Sequence, residues 1–287
     1  MAHRIDIRDL TYTYSPGTPY EKTAVSHLDF FVEENEILGV IGHTGSGKST
    51  LIQHLNGLLR PTHGQVLGDG QDIWGKDVKR RNIRFQVGLV FQYPEYQLFE
   101  ETIAKDIAFG PRNMGLSEEE VARRVDEAMG FVGLDLSLKD KSPFSLSGGQ
   151  KRRVAIAGVI AMEPEVLVLD EPAAGLDPRG RDDLMARILS YHEEKGRSIV
   201  FVSHSMEDVA RYAQRLVVLD HGQVLLNGAP EEVFTHSEEL KKAGLAVPQI
   251  TQVFAELCRR GLDVPDHIYT VEQALEVLLK KKEERPC

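Results

Sequence analysis

Gly42–Thr50 reads GHTGSGKST. It fits the spacing G-x-x-x-x-G-K-[ST], with the short apolar run EILGVIG before it and KSTLIQHLNGLL after it. In the second run Leu51, Leu55, Leu58 and Leu59 fall at helical spacing. Strand, glycine-rich loop and helix in that order predict a phosphate cradle on an α/β fold. Gly42, Gly45 and Gly47 let the backbone curl around phosphates without side-chain obstruction. Lys48 supplies a point charge to the outer phosphates, and the Ser49 hydroxyl suits Mg²⁺. His43, Thr44, Ser46 and Thr50 fill the remaining loop positions.

Working outward, the 287 residues suffice for a sizeable core, and 41% hydrophobic with 27% charged residues is an ordinary globular composition. The net charge of -10 argues against a nucleic-acid surface, which needs clustered Lys and Arg. Two cysteines, Cys258 and Cys287, show neither metal-ligand spacing nor a disulfide framework, so reduced cytoplasmic thiols are expected. MAHRIDIRDL lacks the apolar core of a signal peptide, and no apolar run reaches the roughly 18 residues that span a bilayer. A membrane role is therefore expected to be peripheral.

IDIRDLTYTY and AVSHLDFFV read as strands, while EVLVLDEP and RSIVFVSH read as buried parallel strands. RLVVLDHGQVLLNG reads as a hairpin turned at Asp220-His221-Gly222. From about Gln92 to Ala161 the pattern is helical; Ser117 and Glu120 read as a capping box ahead of a face of Val121, Val125, Ala128 and Met129. Beyond Pro230 two more stripes occur, Ile250, Val253, Phe254 and Leu257, then Val271, Ala274, Leu275, Leu278 and Leu279. They are packing faces either on this chain or against another, and KKKEERPC reads as a solvated tail.

Three further features carry chemistry. Ser147-Gly148-Gly149-Gln150 precedes a helix-forming run, where free backbone N–H groups suit an anion. VLVLDEP ends in Asp170 and Glu171. In phosphoryl transfer one such carboxylate holds the Mg²⁺ shell while a second group orients or deprotonates the attacking water. SIVFVSH and GLVFQYPEYQLF deliver His204 and Gln92; taken singly, each is equally a satisfied loop or core residue.

The ordered set GHTGSGKST, Gln92, LSGGQ, VLVLDEP, AAGLD and His204 resembles the nucleotide-binding subunit of ABC transporters from Ile5 to about Pro230. The resemblance implies an α/β P-loop NTPase core, a mainly parallel sheet plus an antiparallel β-subdomain, with a helical subdomain and a short helical C-terminal extension. The nucleotide-binding domain would run over 1–230, the helical subdomain over about 92–161 and the extension over 231–287. Glu171 would be the catalytic base and His204 the switch residue at the γ-phosphate. Gln92 would touch the Mg²⁺ that Ser49 and Asp170 hold and relay to a membrane subunit. Asp177 would lie in a loop crossing between subunits, although AAGLD departs there from the SALD of many relatives. Tyr14 or Tyr12 would stack on adenine.

The resemblance also explains the second cradle. Two such ATPases sit head to tail, and Ser147, Gly148, Gly149 and Gln150 would grip the nucleotide bound by the partner's phosphate loop. ATP would close the pair and hydrolysis open it.

YSPGTPYEKTAV, IGHTGSGKSTLIQHLNGLLRPTHG, GLVFQYPEYQLFEETIAKDIAFGP and DEPAAGLDPRG are similar to the ATPases of energy-coupling factor (ECF) transporters, in particular to the second of two paralogous ATPases. The implied partners are a paralogous ATPase or a second copy, a transmembrane coupling subunit and membrane substrate-binding subunits, with no nucleic acid. The implied cofactors are ATP and Mg²⁺, the implied location is the cytoplasmic face of the membrane, and the implied task is vitamin or micronutrient uptake, with cobalt or nickel import as the alternative. Tyr93, Tyr96, Leu98 and Phe99 are expected to line a groove for the coupling subunit. A soluble ABC ATPase or a P-loop kinase are the other classes; the kinase has no use for LSGGQ.

Overall fold

The computed structural model describes residues 3–265 and 267–283. The chain opens with the antiparallel strands β1 (Ile5–Tyr14) and β2 (Lys22–Val32), and β3 (Ile37–Gly42) leads through the phosphate loop into α1 (Lys48–Leu55). After β4 (His63–Gly68), β5 (Gln71–Asp72), α2 (Arg80–Gln86) and β6 (Val87–Val90) comes a helical stretch, α3 (Ile103–Met114), α4 (Glu118–Phe131) and α5 (Gly148–Ile160). β7 (Val166–Asp170), α6 (Pro178–Lys195), β8 (Ser198–Val202), α7 (Met206–Tyr212), β9 (Arg215–Asp220) and β10 (Gln223–Gly228) follow. The described chain ends in α8 (Pro230–Thr235), α9 (Ser237–Lys242), α10 (Gln249–Arg259) and α11 (Val271–Glu283).

Two sheets result. The central one runs β10-β9-β3-β8-β7-β6, parallel throughout except for β10; the smaller one runs β2-β1-β4-β5 and is antiparallel. Period-two alternation divides the core of the central sheet between its faces. Leu38, Val40, Val166, Val168, Val200 and Val202 pack with α1 and the small sheet. Ile37, Ile41, Leu167, Leu169, Ile199 and Phe201 pack with the helices of the other face. Both faces are covered, which is why these strands read as unbroken apolar runs.

Two local expectations change, and one that the sequence left open is decided in part. α1 stops at Leu55 because Gly57 turns left-handed (φ 66), so Leu58 and Leu59 lie past the helix and Leu58 is exposed. Ser117 caps α4 by accepting from the Glu120 N–H at 3.2 Å, but the Glu120 carboxylate pairs with Arg123 and Arg124 instead of closing a capping box. In the two C-terminal stripes, Phe254 and Ala274 are buried with Ile268 in a small separate cluster, while Val253, Val271, Leu275, Leu278 and Leu279 are exposed. Residues 284–287, including Cys287 and half of the expected tail, lie outside the described residues, while the other half continues α11. Among the described residues no helix is long and apolar enough to cross a membrane.

Candidate active site

The phosphate loop is framed from behind. β3 ends at Gly42, and Gly47 caps α1 at φ 108. A Cβ at Gly47 would stand 2.8 Å from the Ala24 carbonyl oxygen, and one at Gly42 would stand 2.4 Å from Ser46 Oγ, so neither position accepts a side chain. Ser46 is fully buried, and its carbonyl accepts from the Gly222 N–H at 3.0 Å. Lys48 is buried and folds back over the loop, donating from Nζ to the carbonyl oxygens of Gly42 (2.6 Å) and His43 (3.0 Å). Burial pushes its pKa down, partly opposed by Glu171 and Asp170.

In front of the loop is a cleft of about 350 Å³, within the range of small-molecule sites. Tyr14, Thr44, Gly45, Gly47, Lys48, Ser49, Thr50, Gln92, Asp170, Glu171 and His204 line it, so most of the residues singled out in the sequence converge on one space. Gly42, His43 and Ser46 do not line it; they form the frame. Tyr14 lines the cleft and Tyr12 does not. The Tyr14 hydroxyl lies 3.1 Å from Thr50 Oγ1, and Tyr12 stands edge-on to Tyr14 and to His54.

β7 and β8 lie side by side and bring Asp170 and His204 to the same end of the sheet. Immediately after β7, Glu171 takes φ 51 while its N–H donates to the Val202 carbonyl at 3.1 Å. Its Oε1 then lies 3.3 Å from His204 Nε2. Burial, with the charge of Asp170 adding, pushes the Glu171 carboxyl up to about 7, although the backbone of His204 and the charge of Lys48 act the other way. Burial also raises Asp170, and burial followed by repulsion from Lys48 lowers His204. A carboxyl held near neutrality is suited to accept a proton from water. The hydroxyl of Ser49, the amide oxygen of Gln92 and the carboxylate of Asp170 form an all-oxygen set facing one cleft, which fits a hard cation such as Mg²⁺.

Ser147, Gly148, Gly149 and Gln150 do not line this cleft. Ser147 caps α5 in a completed capping box: its Oγ accepts from the Gln150 N–H at 3.3 Å, and Gln150 Oε1 accepts from the Ser147 N–H at 3.1 Å. The exposed Ser147 and Gly148 face away from the chain's own core. Asp177 caps α6, accepting from the Gly180 N–H at 2.7 Å.

Sequence reasoning missed Arg152, which is buried on α5. It holds Glu95 through two bonds, at 3.0 and 3.2 Å, and donates to the carbonyls of Pro172 and Ala174. It thereby joins the segment after Gln92 to the segment after Glu171. Its place inside KRRVAIAG gave no sign that it points inward. Lys22, Ala24 and Val202 also line the cleft and carry no motif. Leu98, expected in a surface groove, is instead buried in the main core, whereas Tyr93, Tyr96 and Phe99 are exposed, with Phe109 edge-on to Phe99 at 5.0 Å.

The profile of the ABC transporter family matches residues 25–174. The Energy-coupling factor transporter ATP-binding protein EcfA2 of Clostridium perfringens is 58% identical over 277 residues, covering 96% of this chain and 97% of that protein. The protein of the same name from Enterococcus faecalis is 47% identical, covering 98% of each. The chain belongs to the energy-coupling factor ATPases of the ABC transporter family. Among solved structures, cbiO1 of Clostridium perfringens, part of the ABC transporter complex cbiONQ, superposes with a TM-score of 0.75 at 38% identity, covering 89% of this chain and 100% of that one. A dimeric ATP-binding cassette in a post-hydrolysis state, bound to ADP and Pi, gives 0.69 at 27% identity, covering 79% of this chain and 98% of that one. This ECF ATPase therefore binds ATP and couples its hydrolysis to an ECF-type importer, on an ABC cassette fold.

Proposed function

We propose that ATP occupies the cleft with its phosphates on Thr44, Gly45 and Gly47, its outer phosphates on Lys48 and its adenine on Tyr14. Ser49, Gln92 and Asp170 hold Mg²⁺, which when bound neutralises charge on the phosphate oxygens. Glu171 takes the proton of the attacking water, and His204, lying beside Glu171, senses the γ-phosphate. The observation that carries this reading is the buried Glu171 carboxyl, pushed up to about 7 and 3.3 Å from His204 in a cleft with Lys48.

Ser147 to Gln150 act on the ATP of a second ATPase subunit. What supports this is the capped N-terminus of α5, whose free N–H groups and dipole favour an anion, exposed and outside the chain's own cleft. The dimeric relative bound to ADP and Pi supports the same pairing. The resemblance to the second of two paralogous ATPases points to the paralogue as partner, and Asp177 lies in the loop that crosses to it. Residues 1–230 form the cassette, with a helical part at about 92–161, and 231–287 form an extension that helps pairing. The exposed Tyr93, Tyr96, Phe99 and Phe109 meet a transmembrane component and hold the protein at the membrane periphery.

The test is Glu171→Gln. It should bind ATP, hydrolyse it roughly 10²–10⁴-fold more slowly and accumulate as an ATP-dependent closed dimer when mixed with its partner. Ser147→Arg in the same background should abolish that dimer. Near-normal turnover in Glu171→Gln rejects the role of the carboxylate, and a dimer that survives Ser147→Arg rejects the shared grip.

A further inference from the structure

His43 stands behind the cleft, and both nitrogens of its ring are engaged. Nδ1 lies 2.8 Å from the Thr44 carbonyl oxygen, which can only accept, so Nδ1 carries a proton and donates it. Nε2 of the same ring faces Asp220 Oδ1, 3.0 Å away. His221 Nε2 approaches the same carboxylate oxygen at 3.7 Å, with its ring 5.3 Å from that of His43. One ligand atom from each of the three residues lies within 4.8 Å of the others. Electron-pair donors this close repel unless positive charge lies between them. A proton serves one such pair; a cation serves all three.

The arrangement has the features of a metal site. The distances from Asp220 Oδ1 to the two imidazole nitrogens, 3.0 and 3.7 Å, are compatible with coordination at about 2.0–2.2 Å, and the exposed His221 ring is free to turn toward a shared ion. The Nδ1–H bond to a backbone carbonyl is the outer contact that orients a metal-binding histidine. Two imidazoles and one carboxylate are a borderline donor set, matched to first-row transition cations rather than to Mg²⁺. The backbone adds a separate point. His221 and Gly222 form a two-residue hairpin loop between Asp220 and Gln223, both left-handed at φ 46 and 77. Such a turn favours Asn or Gly at its first position, so a histidine there runs against local preference.

We propose that His43, Asp220 and His221 bind a first-row divalent transition cation that staples the phosphate loop to the β9–β10 turn. The bond from the Gly222 N–H to the Ser46 carbonyl already joins the same two segments, and the cation adds a second tie at His43. His221 is exposed, so solvent reaches the group from its side.

The experiment titrates Co²⁺ into the untagged full-length protein with excess Mg²⁺ and no nucleotide. It follows the visible ligand-field bands of Co²⁺ and the melting temperature, which rises when a ligand binds only the folded state. One Co²⁺ per chain, with both signals, is expected for the wild type. Both signals should be lost in His221→Asn, which suits the turn but removes the imidazole, and in Asp220→Asn. Both should persist in His63→Ala, a control for the separate group in which His27 and His63 lie 2.6 and 3.3 Å from Asp9. Absence of bands in the wild type, bands retained in His221→Asn, or bands lost in His63→Ala would overturn the proposal.

Discussion

At φ 51, Glu171 holds a backbone conformation that costs a residue with a side chain about 1–3 kcal/mol. The turn carries its carboxyl out of line with Asp170 and over to His204, and burial there raises it from an ordinary 4.5 to about 7. Between those two values the folded chain keeps a proton that the unfolded chain has released. Its contribution to stability is therefore complete below about pH 4.5 and lost as the pH rises through about 7. The cost at higher pH is of order 1–3 kcal/mol. Glu171→Gln cannot ionise and escapes it. The nucleotide-free variant should melt above the wild type at about pH 8 and with it at about pH 4, as differential scanning calorimetry would show. Asp170, also raised by burial, is common to both proteins and gives both the same underlying slope. Coincident melting at both pH values rejects the buried, proton-holding carboxyl. Motif spacing made the identity of Glu171 legible. Its pKa was not, because that depends on how deeply neighbouring strands bury the strand end.

The element that ties the site together is α5. Its N-terminal turn presents Ser147, and one and a half turns on, Arg152 reaches inward to Glu95 and to two carbonyls of the loop after Glu171. Removing the guanidinium would leave a largely buried carboxylate and two carbonyls without their donor. Arg152→Met should cost about 3 kcal/mol, read as a lower denaturation midpoint in urea. Adding Glu95→Gln should restore part of the loss, since the pair is coupled and the second change removes the stranded charge. Equal midpoints for wild type and Arg152→Met would show that the pair contributes nothing. Helical spacing foretold the faces of α4 correctly, Val121, Val125, Ala128 and Met129 all being buried. It failed at the end of α1 and for Arg152. A left-handed Gly57 overrides apolar periodicity in the first case, and in the second a charge is buried because it has partners distant in sequence.

Over the whole molecule, both faces of the central sheet are covered, yet the C-terminal helices leave an apolar face uncovered. α11 buries Ala274 against Phe254 and Ile268 while exposing Val271, Leu275, Leu278 and Leu279, about half or more of each side chain's residue being accessible. α10 adds Val253, half exposed. The sequence stripes left open whether these faces packed inward or against another chain, because periodicity identifies an apolar face without naming what covers it. Here the inward share is small. Exposed apolar side chains that share one helix face, as Val271, Leu275, Leu278 and Leu279 do, mark an association surface, and the second ATPase subunit is the partner that the reading of Ser147 already requires. The pair Leu275→Glu and Leu279→Glu should weaken association of the two ATPase subunits at least tenfold by analytical ultracentrifugation, since each charge would have to be desolvated on pairing. ATP binding to the separate chain should be unchanged, the substitutions lying outside the cleft. Undiminished association would exclude α11 from the contact and leave the proposed grip on a shared nucleotide to account for pairing.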